Sequence, residues 1–287
     1  MTLASSPIVH HPFQFGIGRF NLTGFGIAVL LAFLISQIIS ERELARRGFD
    51  TEAAAVSDVL FAALVGTMLG AKIYYVAVVS HNIRDLWSRG GFVFWGGFIG
   101  AVLLCAATIR HKKLSFVRFA DVAGIALAAG YAVGRTGCWA VGDDYGKPYT
   151  GPLAVVFPQG SPPSTVQDMV ATFHITPPAG SSPTDLLSVY PTQIIEVIFG
   201  MIMFGILWRI RDHDHAEGWL FGVWAVLAGV ERFLIEFFRS KDDRVAWAGG
   251  LSLAQVIAIG MVMVGIAVMR MRSETGPGRP GIRAVAA

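Results

Sequence analysis

Residues 20–40 read FNLTGFGIAVLLAFLISQIIS, with no Asp, Glu, Lys or Arg. A helix needs about 20 mostly apolar residues to cross the hydrocarbon core of a bilayer, and this stretch meets that demand. Residues 90–109 and 245–269 are equally free of charge over a similar length. Four further spans follow if a few charges inside the membrane are allowed: 56–80 with Asp58 and Lys72, 119–134 with Asp121, 186–208 with Glu196, and 219–238 with Glu231, Arg232 and Glu236. The expected fold is all-α, a polytopic integral membrane helix bundle of about seven transmembrane helices. The span at 119–134 is the shortest and ends in a glycine-rich motif.

Composition agrees. Of 287 residues, 54% are hydrophobic and 15% charged, against about a quarter charged in a soluble domain. That balance argues against a soluble enzyme, a disordered scaffold or a nucleic-acid binder, and the lipid bilayer is the expected surrounding. Glycine is abundant at 33 residues, which membrane helices tolerate. With the N-terminus outside, the cytoplasmic connections hold 13 Lys and Arg and the outer ones 8. The excess favours an N-out, C-in topology. The net charge of +3 then reads as loop bias rather than as a nucleic-acid surface.

One transmembrane domain is expected over residues 1–272, with a long outer loop at about 136–185 rich in Pro, Gly, Ser and Thr, and a disordered cytoplasmic tail at 273–287. No repeat divides the chain into halves, and the N-terminus lacks the basic start of a cleavable signal peptide. Cys105 lies in an apolar run and Cys138 in a polar motif, so a disulfide is not expected. His213 and His215 read as a solvated loop. No P-loop, nucleophile elbow or zinc-helix motif occurs, and neither metal nor organic cofactor is indicated.

Ionisable residues inside a membrane are costly unless paired or wetted, which makes them functional candidates. In VERFLIEFFRSKD, Arg232 and Glu236 stand four apart and share a helix face. The pair is either structural or a cation held by Glu236 and aimed at an anion, with Arg239 a turn further near the outer surface. Guanidinium suits phosphate because its planar fork donates twice. In GYAVGRTGCWAVGDDYGKPY, residues 130–149, a span is expected to end in Gly-Arg-x-Gly and turn into an acidic loop. Arg135 adds a second cation, Asp143 and Asp144 follow, and Gly137, Gly142 and Gly146 can admit a ligand to the backbone. In GGFVFWGGFIGA, glycines including Gly96 and Gly97 permit either close helix contact or ligand approach. In SVYPTQIIEVIFG, Pro191 suits a helix start and Gln193 and Glu196 share a face. Glu196 can pair with Lys72 or serve catalysis.

The order and spacing of these groups resemble the prolipoprotein diacylglyceryl transferase family over residues 13–269. The family's E-R-F-x-x-E-F-F-R pattern is met in full by Glu231 to Arg239. Its H-P-[ST]-Q-x-x-E pattern is met by Pro191, Thr192, Gln193 and Glu196, with Tyr190 in the first place. Its F-H-G-G-x-x-G pattern becomes Phe94-Trp95-Gly96-Gly97-Phe98-Ile99-Gly100. Its signature G-R-x-G-N-F-x-N-x-E-x-x-G aligns with residues 134–146. Trp95 therefore stands in place of a histidine regarded as important for activity in that family. Cys138 and Val141 replace two asparagines, Phe25 a tyrosine and Asp143 a glutamate.

The resemblance implies transfer of the diacylglyceryl group of phosphatidylglycerol to the lipobox cysteine thiol of a prolipoprotein signal peptide, the first step of bacterial lipoprotein maturation, in the cytoplasmic (inner) membrane. It implies catalytic roles for Arg135, Arg232, Glu236 and Asp143. Phosphatidylglycerol would be bound by Arg135, Gly137, Gly142, Gly146, Arg232, Gly96, Gly97, Gln193 and Arg239. The chemistry needs a thiolate-like sulfur and fixed cations at the departing phosphate oxygen. Two alternatives remain: a paralogue of the same fold that acts on or binds another phospholipid, and a seven-span transporter or sensor with Asp58, Lys72, Asp121 and Glu196 as an ion relay.

Overall fold

The computed structural model of the chain describes residues 7–17, 20–88, 91–240 and 244–273. The tail expected at 273–287 lies outside the described residues apart from Ser273. The long elements are all helical: α1 (Gly24–Arg46), α3 (Val56–Tyr74, continued to Ser80 by a wider π turn), α4 (Phe94–His111), α5 (Phe116–Val141), α7 (Thr192–Arg209), α8 (Trp219–Ile235) and α9 (Leu253–Met271). Between them lie the short helices α2 (Asp50–Ala54) and α6 (Val166–Phe173). Strand β1 (Ile8–Val9) pairs parallel with β4 (Val155–Val156), and β2 (Gln14–Ile17) pairs antiparallel with β3 (Phe20–Thr23).

Among the described residues, six helices are long and apolar enough to cross a membrane. The seventh expected span is α8, which has 17 residues and carries Glu231 and Arg232, so length and apolarity alone do not mark it. The span expected at 119–134 differs most. It is the longest helix, with 26 residues, and it runs through Gly134-Arg135-Thr136-Gly137 to Val141. The loop therefore opens at Gly142 rather than near residue 136. Its backbone turns there through two left-handed residues, Gly142 (φ 70) and Asp144 (φ 54). Glycine takes that conformation freely, and Asp is among the few other residues that tolerate it.

The chain divides into two compact units. The first comprises residues up to Ser36 and Gly124–Glu274. Its helices meet through small side chains. A Cβ on Gly137 of α5 would lie 2.8 Å from Ala28 of α1, and one on Gly200 of α7 would lie 2.9 Å from Ala132 of α5. On α8 and α9, Gly222 and Gly265 face each other, and Gly229 faces Ala258 and Val262. Many large side chains point outward, Met201 at 63% and Met263 at 62% exposed, while Leu207, Leu220 and Ile235 fill the remaining interior. Small residues at the helix contacts are the pattern of helices solvated by lipid, where close backbone approach supplies contact energy. Ser252 and Gln255 cap the start of α9 reciprocally. The long loop has its own core of Tyr145, Val155, Phe157, Met169 and Val189.

The second unit, Gln37–Ala123, holds α3 against α4 with backbones touching. Gly66 packs on Gly100, and Gly70 on Gly96. Gly96 and Gly97 thus face α3 here; a Cβ on Gly97 would lie 3.2 Å from Thr67. Several of the unit's charges are paired locally. Arg47 joins Asp121 at 2.6 Å and Glu43 at 2.8 Å, Arg118 joins Glu52 at 2.7 Å, and Lys112 joins Asp58 at 2.6 Å. Lys72 donates to the carbonyl of Ser88 at 2.6 Å, and Glu196 takes arginine partners, so of the two alternatives for Glu196 the pairing with Lys72 is not formed. Each member of the suggested ion relay is held by neighbours of its own.

Candidate active site

The site-bearing unit gathers its polar groups where α5, α7 and α8 meet the loop. Arg135 leaves α5 with 16% of its side chain exposed and reaches two carboxylates at once. Nη1 donates to Asp144 Oδ2 at 2.8 Å, and Nη2 donates to Glu196 Oε1 at 2.6 Å. Arg239 donates through Nη2 to the other Asp144 oxygen at 2.8 Å, and its Nη1 lies 3.8 Å from Glu196 Oε1. Two arginines and two carboxylates therefore alternate around a closed ring. Glu196 is fully buried, whereas the Asp144 side chain is 43% exposed and forms the open edge. Charge-assisted contacts of this kind are the strong class of hydrogen bond.

Arg239 sits in this position because α8 stops at Ile235. The chain then turns, Lys147 donates its backbone N–H to the Phe238 carbonyl at 2.8 Å, and Gly146 bridges to Arg239. Only 12% of the Arg239 side chain is exposed, because it is packed onto Asp144. The start of α7 clamps the same turn from the other side. Gln193 Nε2 donates to the Asp143 carbonyl at 2.6 Å, and Thr192 Oγ1 donates to the Asp144 carbonyl at 2.7 Å. The Pro-Thr-Gln motif thus positions the acidic turn.

Arg232 and Glu236 pair at 2.6 Å across one turn, as their spacing requires. The field of Arg232 reaches Glu196 and Glu231, so it shares the electrostatic environment of Arg135. Glu236 also lines a cavity of about 400 Å³ with Lys147, Phe173, His174, Ser240 and Arg244, a volume within the usual range for ligand sites. The three loop-side glycines are packed by protein. Gly137 abuts Phe25 and Ala28, Gly142 abuts Phe157, and Gly146 abuts Tyr190, Thr192 and the Phe238 carbonyl.

Several acceptor atoms remain without a hydrogen-bond partner among the described residues: Asp143 Oδ1, Gln193 Oε1 and Glu196 Oε2. Buried acceptors are rarely left so, and all three await a donor. Burial pushes the Asp143 carboxyl above the ordinary aspartate value, despite its hydrogen bond with Cys138 and the nearby arginines. Burial acts the same way on Asp144, but Arg239 and Arg135 outweigh it and hold this carboxyl below the ordinary value. Burial also opposes the charge on Arg239, and Asp144 and Glu196 more than restore it.

Cys138, Asp143 and Asp144 place one donor atom each within 4.8 Å of one another. Arg135 stands beside this trio, with Nη1 3.5 Å from the Cys138 sulfur and bonded to Asp144.

Sequence reasoning singled out Arg135, Arg232, Arg239, Glu236, Asp143 and Gln193, and the first unit holds all six. Gly96 and Gly97 belong to the second unit. Sequence reasoning passed over Asp144 as the shared acceptor, and Tyr131 and Glu231 as neighbours of Glu196. Tyr131 lies one turn before Arg135 on α5, a spacing that shares its face.

A family model described as prolipoprotein diacylglyceryl transferase matches residues 12–271. A phosphatidylglycerol--prolipoprotein diacylglyceryl transferase of Geobacter sulfurreducens is 28% identical over 278 residues, covering 93% of this chain and 97% of that protein. Proteins of the same name from Bordetella avium and Stenotrophomonas maltophilia are 26% and 28% identical, covering 94% and 91% of this chain and 97% and 91% of their own lengths. With a match that spans nearly all of its helices and both halves of the arginine–carboxylate ring, this chain belongs to the prolipoprotein diacylglyceryl transferase family.

Proposed function

We propose that the protein transfers the diacylglyceryl group of phosphatidylglycerol to the lipobox cysteine thiol of a prolipoprotein, in the bacterial inner membrane, with its N-terminus outside and its C-terminus in the cytoplasm. One observation carries the reading. Arg135 and Arg239, from separate elements, are fixed on opposite oxygens of Asp144 at 2.8 Å each. Two preorganised guanidinium groups at one open edge match a single phosphodiester.

The thiol sulfur attacks the glycerol carbon that bears the phosphate. The C–O bond breaks, and its electron pair leaves with glycerol phosphate. Negative charge grows on that oxygen, and Arg135, Arg239 and Arg232 supply the stabilising field; one such donor is worth on the order of 3 kcal/mol. Glu236 holds Arg232 in register from the next turn. Asp143 takes the thiol proton. Its raised carboxyl stands nearer than an ordinary aspartate to a thiol of pKa about 8.5, which favours the transfer. Gln193 Oε1 and Glu196 Oε2, acceptors without donors, suit the hydroxyls of a glycerol head group. The cavity beside Glu236 is the proposed approach for the peptide.

Purified protein in vesicles, given phosphatidylglycerol and a lipobox peptide, should yield lipidated peptide. Correctly inserted protein that yields none, and that fails to sustain lipoprotein maturation in cells depleted of their own enzyme, overturns the reading. The second reading, a paralogue directed at another phospholipid, is favoured by the buried Cys138 against Arg135 and by Trp95, 39% exposed in the place of the family's histidine. If only the Trp95→His variant transfers, that second reading replaces the first.

A further inference from the structure

Tyr131 Oη lies 3.0 Å from Glu231 Oε1 and 3.2 Å from Glu196 Oε1. The three groups come from α5, α8 and α7. A tyrosine hydroxyl has one proton to donate, and an ionised carboxylate only accepts. One hydroxyl therefore cannot satisfy two carboxylates. The second contact would set two electron-rich oxygens together in a low-dielectric interior, where such repulsion is severe.

A proton on one carboxyl removes the conflict, and the geometry decides which. Glu196 Oε1 already accepts from Arg135 Nη2 at 2.6 Å, so it is not the protonated atom. Glu196 Oε2 is buried and has no hydrogen-bond partner among the described residues, so a hydroxyl there would donate to none of them. Glu231 Oε1 has Tyr131 Oη directly before it. We propose that Glu231 is a neutral acid in the resting protein, donating to Tyr131, which donates to Glu196, which in turn fixes Arg135. Glu231 is thus a positioning residue for Arg135, acting through two intermediaries.

The groups facing Glu231 are Tyr131 and Arg135 from α5, Glu196 from α7 and Arg232 from its own helix. From α9, Ala258 and Val262 pack near Gly229, one turn before Arg232, and bring no charge. Raising the pH until Glu231 loses its proton restores the repulsion and reverses the Tyr131 hydroxyl. The Glu196 oxygen that holds Arg135 then loses its second donor. The placement of the proton rests on hydrogen-bond geometry alone, and its effect on transfer rests on the function proposed above.

Infrared spectroscopy of the full chain in vesicles separates the two. The protein should show a carboxylic-acid C=O stretch that shifts in D2O. It should vanish in Glu231→Gln, persist in Glu236→Gln, and move to higher frequency in Tyr131→Phe, where its acceptor is gone. A band unchanged by Glu231→Gln, or lost only in Glu196→Gln, overturns the proposal. In the transfer assay, Glu231→Gln keeps a neutral donor and should retain activity while its alkaline decline disappears. Tyr131→Phe should lower kcat about tenfold, the size of one hydrogen bond to a charged group. Glu231→Gln as inactive as Glu231→Ala would also overturn it. A chain with no transfer activity still gives the infrared answer, so failure of the function leaves the proton placement testable.

Discussion

Arg135→Lys keeps the charge and removes the fork. In the native protein one guanidinium serves Asp144 at 2.8 Å and Glu196 at 2.6 Å simultaneously. An ammonium on a shorter, tetrahedral head cannot span both. Glu196 is fully buried, so the lysine will go to it, since an unpaired buried carboxylate costs about 3–5 kcal/mol. Asp144 and Arg239 then lose the second cation from their edge. One preorganised donor is worth on the order of 3 kcal/mol in the transition state, or about a hundredfold in rate. Arg135→Lys should therefore fold with a melting temperature close to that of the native protein and transfer about a hundredfold more slowly. Arg135→Ala should suffer both the kinetic and the stability loss. The assay is transfer of labelled diacylglyceryl to a lipobox peptide, alongside thermal size-exclusion of the same preparations. Arg135→Lys working at the native rate would refute the reasoning, because the bidentate geometry would then be irrelevant to the reaction.

Three further outcomes are expected. Asp143 accepts a proton only when ionised, and burial raises its carboxyl, so transfer should climb with pH through a value above the ordinary 3.9 or so; Asp143→Asn should lose that acid limb, and an unchanged profile would exclude Asp143 as the base. Asp144 is held below its ordinary value by Arg239 and Arg135, which outweigh burial. It therefore contributes stability above the unfolded value of about 3.9, lost as pH falls through the lower folded one; thermal denaturation against pH should show this loss flattened in Asp144→Asn. A Cβ on Gly66 would stand 2.8 Å from the Gly100 carbonyl carbon, so Gly66→Ala should destabilise by about 1–3 kcal/mol, read as a lowered melting temperature; a neutral result would mean that α3 and α4 separate easily.

The apolar runs made the helices legible, because a bilayer leaves one solution for a stretch such as 20–40. The Arg232–Glu236 pair was legible for an equally local reason, its four-residue spacing. Other features depended on distant partners. Gly134-Arg135 reads as the end of a span because glycines and an acidic loop follow it. Glu196, 61 positions away, neutralises that charge and lets α5 continue. Arg239 looked like a third turn of the same helical face, but the helix ends at Ile235 and the chain swings it onto Asp144. Tyr131 carries no charge and gave no signal beyond its place one turn from Arg135. The contrast is between contacts within a helix, which spacing reveals, and contacts between segments, which only folding creates.

Because the ring of Arg135, Asp144, Arg239 and Glu196 closes on itself, its members will not mutate independently. Removing any one strands its two neighbours, and removing the opposite-signed neighbour as well relieves part of that damage. Genetic changes at these four positions should therefore show strong epistasis, with double variants milder than the summed effects of the singles. Related lineages would be expected to exchange these residues in charge-matched pairs.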